Sequence, residues 1–212
     1  MVWTDTDRQE LGKIAIRALA VIDMQNDFID GVLGTPEAEN IVDKVADDIN
    51  KYREMNSHIF YTQDTHFDGA YEASKESFIP KHCIMGTEGW ELNDRIAEAL
   101  ECEEEEKDQI TAIYKHTFGS TDLATKILEY VNNQLDIYMD LGIPTNNINV
   151  IIDIEGLCTD ICVISNALII KACLPSAIII VHSDRCAGST PEDHQKALDI
   201  LDKNGIYIDL NI

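Results

Sequence analysis

Cys162 stands where a predicted buried strand is followed by a predicted helix. Residues 149–154 form a β-branched apolar run typical of a buried parallel strand, Gly156 is predicted as a turn, and residues 159–168 are predicted as a helix. The cysteine is therefore expected in the first helical turn, at the sheet edge where open α/β sheets bind ligands. Unpaired N–H groups and the helix dipole favour the nucleophilic thiolate there. The alternative is a buried cysteine that only fills space, which is the commoner case.

Two further polar residues close predicted strands at the same sheet edge. Asp23 follows the apolar residues 18–22, and Lys115 follows residues 110–114. An acid, a lysine and a thiol in one cleft suit nucleophilic acyl chemistry, in which Asp23 takes and returns the proton while Lys115 favours the thiolate. Backbone N–H groups at the helix start would hold the oxyanion. The alternatives are a capping role for Asp23 and an exposed position for Lys115.

A metal-binding pattern follows the predicted strand over residues 58–61. Asp64 and His66 are two positions apart, so at a strand end their side chains point the same way. A carboxylate beside an imidazole suits a divalent transition metal. His82, after a long polar loop, is the candidate third ligand, whereas Cys83 beside it is more typical of packing. Taken alone, the pair of Asp64 and His66 is a pattern that often arises by chance.

Predicted strands and helices alternate along the chain without repeats or linker-like segments. Strands are expected over residues 18–22, 58–61, 110–114, 149–154, 177–181 and 205–210, and helices over residues 37–55, 90–100, 121–141, 159–168 and 191–204. The third helix could be broken near Asn132, and residues 1–13 are expected to form an arm or a short helix. The alternation predicts a three-layer, Rossmann-like α/β/α fold with a parallel sheet of about six strands, in a single domain over residues 1–212.

The composition limits the classes of partner. The chain has 16 basic residues against 39 acidic ones, a net charge of −23. Nucleic acids and anionic membrane surfaces repel such a chain, so neither is expected as a partner. The first residues lack the basic and apolar regions of a signal peptide, and no apolar run approaches the length of a membrane span. The six cysteines form no CxxC pair, which indicates a reduced, cytoplasmic protein.

Three segments together resemble the signatures of the isochorismatase-like cysteine hydrolases. They are residues 21–28 (VIDMQNDF), 115–118 (KHTF) and 156–163 (GLCTDICV). The pair of Asp64 and His66, with residues 80–83 (PKHC) and 86–87 (GT), is similar to the metal-binding branch of that family, the nicotinamidases or pyrazinamidases. The resemblance extends from residue 18 to the C-terminus and implies an isochorismatase-like fold.

The resemblance implies a role for each candidate residue at the sheet edge. It implies a catalytic triad of Asp23, Lys115 and Cys162. It also implies a cis peptide bond between Leu157 and Cys158, which would direct the Cys158 N–H, together with that of Cys162, at the oxyanion.

One divalent metal ion is implied by the same resemblance, with Asp64, His66 and His82 as its ligands. Zinc is the first expectation for this donor set, and iron and manganese are the alternatives. A fourth ligand could come from Glu72 or Glu76, or from water.

The implied reaction is the hydrolysis of nicotinamide to nicotinate and ammonia through a Cys162 acyl-enzyme, in the service of NAD salvage. The expected partner is thus a small-molecule amide, with Phe28 and Phe118 as its contacts, and a homo-oligomer is expected. The sequence departs from the family pattern at two positions. Ile79 stands where many nicotinamidases have a tryptophan that stacks on the substrate ring, and Cys158 replaces a usual alanine.

Two alternatives remain open. A related hydrolase of this family could act on another small amide or ureide of the N-carbamoyl type, and a metal-free cleft would favour it. The other alternative is a non-catalytic, metabolite-binding protein. The joint presence of Asp23, Lys115 and Cys162 argues against that alternative, because a binding protein does not need all three.

Overall fold

A computed structural model describes residues 14–69, 78–102 and 108–209 of the chain. The strands are β1 (Ala15–Ile22), β2 (His58–Asp64), β3 (Ile110–Lys115), β4 (Asn149–Leu157), β5 (Ile178–Ala187) and β6 (Tyr207–Asp209). They form a six-stranded sheet in the order β3-β2-β1-β4-β5-β6, in which all neighbouring strands are parallel. The chain builds outward from β1 on one side and from β4 on the other, which creates a switch point between these two strands.

Helices cover both faces of the sheet. They are α1 (Asn26–Ile29), α2 (Pro36–Glu54), α3 (Asp94–Leu100), α4 (Thr121–Asp140), α5 (Ile164–Cys173) and α6 (Pro191–Lys203). Apolar side chains of α2 and α3 pack on one face, and those of α4, α5 and α6 pack on the other. The predicted three-layer α/β/α class with about six parallel strands is therefore confirmed.

The three longest helices begin at hydroxyl N-caps. The side chains of Thr35, Ser120 and Thr190 each accept a hydrogen bond from a backbone N–H in the first turn of α2, α4 and α6. Proline follows the cap in α2 and α6, where its missing N–H would have no intrahelical partner. These caps fix where the chain leaves the sheet edge and turns back along its faces.

The strand predicted over residues 149–154 is longer than expected. β4 continues through Gly156, where the sequence predicts a turn, because Gly156 and Leu157 still pair with Cys186 and Ala187 of β5. The pairing also extends β5 beyond its predicted end at residue 181. Both strands therefore reach further toward the carboxyl edge of the sheet than local propensity indicates.

Two predicted helices also differ from the structure. The helix predicted from residue 90 begins at Asp94, because the Asn93 side chain accepts a hydrogen bond from the Arg95 N–H and caps it there. The suggested break near Asn132 is wrong, since α4 runs unbroken through this exposed residue. An asparagine that points to solvent does not compete for the helical hydrogen bonds.

Some expectations fall outside what the structure describes. The arm predicted for residues 1–13 lies outside the described residues, as does Leu210 at the end of the last predicted strand. The prediction of a single domain over residues 1–212 stays a prediction. None of the helices in the described ranges combines the length and hydrophobicity needed to cross a bilayer.

β4 passes close to the end of β1 at Gly156. This residue has a φ of +116°, and a Cβ added to it would lie 2.1 Å from the Ile22 carbonyl oxygen. Ile22 ends β1 and immediately precedes Asp23. A glycine at position 156 thus allows the ends of the two central strands to come together.

Gly156→Ala is expected to lower the free energy of unfolding by at least about 3 kcal/mol, because the new methyl group would overlap backbone atoms and the φ angle would be unfavourable. Gly142→Ala is the matched control, since Gly142 also has a positive φ (+78°) but open space around its Cβ position. Its cost should be about 1–2 kcal/mol. Urea unfolding measures both losses, and equal losses would contradict the steric explanation.

A buried ion cluster joins β1, β4, β5 and β6 beside α2. The Arg17 guanidinium binds both carboxylate oxygens of Asp153, with distances of 2.7 and 3.0 Å. His182 lies between two carboxylates, with Nε2 2.8 Å from Asp153 Oδ1 and Nδ1 3.2 Å from Asp209 Oδ2. Burial alone would lower the pKa of His182, but these two carboxylates raise it to about 10.

The free energy of unfolding is expected to fall as the pH rises from 6.5, the ordinary pKa of histidine, to the folded-state pKa of His182 of about 10. The folded state binds a proton that the unfolded chain has released in this window, so the stabilisation is complete below it and is lost across it. Urea unfolding at several pH values measures the decline. The buried Glu155 contributes in the same direction, because burial raises its pKa.

His182→Gln isolates the histidine contribution. The variant should be less stable at pH 7 than the wild-type protein. Its free energy of unfolding should also fall less between pH 7 and alkaline pH, because the His182 proton is no longer there to be lost. Some decline should persist, because Glu155 remains. An equally steep decline in both proteins would contradict the assignment to His182.

Candidate active site

Lys115 is a buried cation at the end of β3. Its Nζ lies 2.7 Å from Asp23 Oδ2 and 3.5 Å from Cys162 Sγ. The same atom lies 3.4 Å from Asp64 Oδ1. None of these four residues is more than 4% exposed, so the alternative of a surface lysine is wrong. The structure brings the three predicted catalytic residues together around one ammonium group.

Burial and the charges of neighbouring residues together determine the pKa values of these groups. It raises the pKa of the Cys162 thiol well above its usual value, although the charge of Lys115 opposes the change. Burial also raises the pKa of Asp23 against the lowering effect of Lys115. For Lys115, burial alone would lower the pKa, but Asp23, Cys162 and Asp64 raise it well above its usual value. The arrangement can therefore pass the thiol proton to an unusually basic aspartate while the ammonium stays charged.

Cys162 lies in a π-helical turn (Thr159–Val163), not in the first turn of a regular α-helix as the sequence predicts. The carbonyl of Cys158 accepts hydrogen bonds from the N–H groups of Ile161 and Val163, both at 3.0 Å, which widens the turn. The Asn166 side chain donates to the Cys162 carbonyl at 2.8 Å. These bonds fix the backbone of the cysteine at the sheet edge, and turns of this kind are frequent at functional sites.

A second group of polar side chains converges next to Lys115. Asp64 Oδ2 lies 3.0 Å from His66 Nε2 and 3.2 Å from His82 Nε2. Each residue offers one ligand atom, and the three atoms lie within 4.8 Å of one another. All three predicted metal ligands are buried, so they meet in one place away from bulk water.

The donor set fits a divalent ion. His82 Nδ1 lies 2.8 Å from the Pro80 carbonyl oxygen, a contact that orients the ring with Nε2 toward Asp64 Oδ2, as is usual for metal-binding histidines. One carboxylate with two imidazoles suits zinc, iron or manganese.

Two residues outside the predicted set hold the ligand segments in place. Gln25 Nε2 donates to the Asp64 carbonyl at 2.9 Å, and its Oε1 accepts from the Asp64 N–H at 2.7 Å. Asp27 Oδ2 accepts from the Cys83 N–H at 2.7 Å, directly after His82. The sequence signal for both was their position just after a buried strand, but that position does not reveal which backbone groups they bind.

A cavity of about 410 Å³ opens beside Cys162. Its apolar lining consists of Phe28, Leu33, Phe78, Ile79, Phe118 and Ile161, and its polar lining includes Thr35, Asp64, His82, Cys158, Cys162 and Ser189. Both predicted substrate contacts, Phe28 and Phe118, therefore face the same space as Cys162. The ring centroid of Phe28 lies 5.4 Å from that of His82.

The remaining site predictions have separate outcomes. The peptide bond between Leu157 and Cys158 is cis. The thiol of Cys83 is buried and contacts the Gly89 carbonyl at 3.9 Å, in keeping with a packing role. The suggested fourth ligands, Glu72 and Glu76, lie outside the described residues.

Comparison with known proteins identifies the family. Residues 17–210 match the family model of the isochorismatase domain. The chain belongs to the isochorismatase family. An isochorismatase-family protein of Bacillus subtilis (strain 168), PncA, is 27% identical over 187 residues, which cover 86% of this chain and 92% of the relative.

Solved structures of the isochorismatase family share this fold. The crystal structure of the nicotinamidase PncA from Bacillus subtilis superposes with a TM-score of 0.71 at 26% identity, covering 92% of this chain and 99% of that chain. The pyrazinamidase of Pyrococcus horikoshii, solved in complex with zinc, gives a TM-score of 0.66 at 27% identity, covering 91% and 98%.

Membership of the isochorismatase family confirms the resemblance carried by the three sequence motifs, including the resemblance to its nicotinamidase branch. The chain is therefore an enzyme, an amidohydrolase as its nicotinamidase neighbours are, and it acts on a small molecule. The catalytic and metal-binding roles of the individual residues stay predictions.

His82→Ala is expected to weaken zinc binding by at least about 100-fold, because it removes one of three converging donors. His58→Ala is the control, since His58 lies at the opposite end of β2 from Asp64, with Nε2 2.9 Å from Thr111 Oγ1. Competition with a chromophoric chelator measures both affinities. An unchanged affinity in His82→Ala would refute the ligand assignment.

Proposed function

We propose that this isochorismatase-family enzyme is a metal-dependent cysteine amidohydrolase of the nicotinamidase type, which converts nicotinamide and water to nicotinate and ammonia. The observation that carries the proposal is the Lys115 ammonium, 2.7 Å from Asp23 Oδ2 and 3.5 Å from Cys162 Sγ. The cavity beside Cys162 also exposes Asp64 and His82, two of the candidate metal ligands. The nicotinamidase and pyrazinamidase names of the structural neighbours support the same reaction.

Acylation begins with transfer of the Cys162 thiol proton to Asp23, while Lys115 keeps its charge and stabilises the thiolate. The thiolate attacks the amide carbonyl carbon, so a C–S bond forms and the carbonyl electron pair moves onto the oxygen. The N–H groups of Cys158 and Cys162 hold this oxyanion. Asp23 then returns the proton to the amide nitrogen, the C–N bond breaks, and ammonia leaves a thioester.

Deacylation uses the same residues, with water as the nucleophile and the Cys162 thiolate as the leaving group. Asp23 takes a proton from water, and the resulting hydroxide attacks the thioester carbonyl carbon. The oxyanion collapses, the C–S bond breaks, and the thiolate of Cys162 leaves the carboxylic acid product. Asp23 returns its proton to the thiolate, which restores the resting enzyme.

Asp64, His66 and His82 would hold one divalent ion, with zinc as the first candidate and iron or manganese as alternatives. When bound, such an ion supplies a Lewis acid for the ring nitrogen of the substrate. Two of these donors, Asp64 and His82, lie at the cavity wall, where Gln25 fixes the Asp64 backbone and Asp27 fixes the Cys83 N–H directly after His82.

The cavity walls favour a neutral aromatic amide over an N-carbamoyl amino acid. An N-carbamoyl amino acid has a carboxylate, and none of the lining residues in the described part of the chain is a lysine or an arginine. Three phenylalanines line the cavity, Phe28, Phe78 and Phe118, and their rings suit the faces and edges of a planar ring. Ile79 contributes an aliphatic side chain to the wall, next to Phe78.

The proposal has a cellular setting. Nicotinamide hydrolysis would serve NAD salvage in the cytoplasm, and all six cysteines are free thiols, which supports a reducing compartment. The net charge of −23 opposes nucleic acid and anionic membranes as partners. A homo-oligomer remains part of the proposal by family resemblance.

Ammonia release from nicotinamide by the zinc-loaded protein tests the proposal. Cys162→Ala is expected to lower kcat at least about 1,000-fold, because it removes the nucleophile. Cys186→Ala is the matched control, since this thiol is as buried as that of Cys162, both at 4% exposure, and is not among the cavity-lining residues described. It should keep kcat within about threefold of the wild-type value.

The outcomes separate the three candidate functions. Full activity in Cys162→Ala would remove Cys162 as the nucleophile. Ammonia release from N-carbamoylsarcosine but not from nicotinamide would favour the N-carbamoyl alternative. No release from either substrate, with Cys162 also unreactive to iodoacetamide, would favour a binding protein.

A further inference from the structure

Thr62 binds the carboxylate that serves as the base in the proposed mechanism. Thr62 is fully buried in β2, with Oγ1 2.6 Å from Asp23 Oδ1 and 3.1 Å from the Asp23 backbone nitrogen. Both contacts reach one residue that is 39 positions away in the sequence. We infer that Thr62 is a positioning residue that makes Oδ2 the proton-transferring oxygen of Asp23, an inference that rests on the proposed function.

The direction of each hydrogen bond follows from the donors present. The Asp23 N–H can only donate, so it occupies a lone pair of the Thr62 hydroxyl oxygen. Two oxygens 2.6 Å apart need a proton between them, so the hydroxyl directs its single proton at Asp23 Oδ1. A closed ring thus runs from the Asp23 N–H through the Thr62 hydroxyl to the carboxylate of the same aspartate.

The ring fixes the backbone and the side chain of Asp23 together. Asp23 has a φ of +48°, in the left-handed region that residues other than glycine seldom adopt. Its N–H also donates to the Thr62 carbonyl at 3.2 Å, so the residue is tied to β2 by main-chain and side-chain bonds. The conformation of Asp23 therefore depends on its neighbour in β2 as well as on its own strand.

The two carboxylate oxygens of Asp23 therefore have different roles in the proposed reaction. Oδ1 remains an acceptor for Thr62, and Oδ2 faces Lys115 at 2.7 Å, on the side of the Cys162 thiol. Rotation of the carboxyl group would break both contacts. When Oδ2 takes the thiol proton, Thr62 still holds Oδ1, so the proton stays where the amide nitrogen and the water can reach it.

Thr62 acts only through Asp23. Its side chain is not among the cavity-lining residues in the described part of the chain, whereas Asp64, Cys158 and Cys162 are. Removing its hydroxyl should therefore slow proton transfer and leave substrate binding unchanged. This distinguishes a positioning residue from one that contacts the substrate.

The test removes the hydroxyl and keeps the shape of the side chain. Thr62→Val is expected to lower kcat for nicotinamide about 10- to 100-fold with KM within about twofold, because part of the general-base contribution is lost. Thr62→Ser keeps the donor and should stay within about threefold of the wild-type kcat. Thr111→Val is the control, since it removes another strand hydroxyl, 2.9 Å from His58 Nε2, and should leave kcat unchanged.

A second readout needs no substrate. Iodoacetamide labels Cys162, and peptide mass spectrometry measures the rate separately from that of the other cysteines. Thr62→Val should slow this labelling about fivefold or more. The thiol must give its proton to Asp23 before it reacts, and without the Thr62 hydroxyl the carboxylate is no longer held with Oδ2 toward the thiol. Thr62→Ser and Thr111→Val should label at the wild-type rate.

An unchanged kcat in Thr62→Val, or equal losses in the valine and serine variants, overturns the inference. If Thr62→Val does not fold, Thr62→Cys decides, because it has a weaker donor of similar size: a kcat below that of Thr62→Ser supports the inference, and an equal kcat overturns it. If the wild-type enzyme does not hydrolyse nicotinamide, the proposed substrate fails and the labelling rates decide. Slower labelling in Thr62→Val than in Thr62→Ser then supports the inference, and equal rates overturn it.

Discussion

One buried ammonium group holds the site together. Lys115 faces Asp23, Asp64 and Cys162 at distances of 2.7, 3.4 and 3.5 Å. Without Lys115, the buried carboxylates of Asp23 and Asp64 would repel each other. Each unpaired charge would also cost roughly several kcal/mol to bury. The proposed catalytic residues and the candidate metal donors share this one cation. A change in the charge of the candidate metal donors would therefore alter the pKa values of the proposed catalytic residues, and the reverse, because both sets interact with Lys115.

The sheet topology explains why these residues meet. Asp23 follows β1, Asp64 ends β2, Lys115 ends β3, and Cys162 follows β4. These four strands are neighbours in the order β3-β2-β1-β4, so their carboxyl ends form one edge, with the strand order reversing between β1 and β4. No single segment of the chain contains the site. It exists only when the four strands have paired in register, which ties activity to the integrity of the whole sheet.

The sequence allowed the fold class and the convergence of the candidate catalytic residues to be predicted, but not the hydrogen bonds that hold these residues in place. A polar residue after an apolar strand is a usable signal, because parallel strands end at one edge, and this located Asp23 and Lys115. Thr62 carries no such signal, and the position of Gln25 just after β1 does not reveal its role, because both roles depend on hydrogen bonds to residues 39 positions away. The continuation of β4 through Gly156 depends on pairing with β5, which local propensity does not register.

The close approach of β4 to the end of β1 limits the substitutions that the chain can accept at position 156. A side chain at position 156 would be accepted only if Ile22 moved away, and the next residue is Asp23. Selection for the position of the Asp23 carboxylate would therefore also keep a glycine at position 156, although Gly156 has no side chain that takes part in the chemistry. The atoms that a Cβ at position 156 would meet are backbone atoms of Ile22, which every residue type has, so no substitution at position 22 or 23 would make room for it.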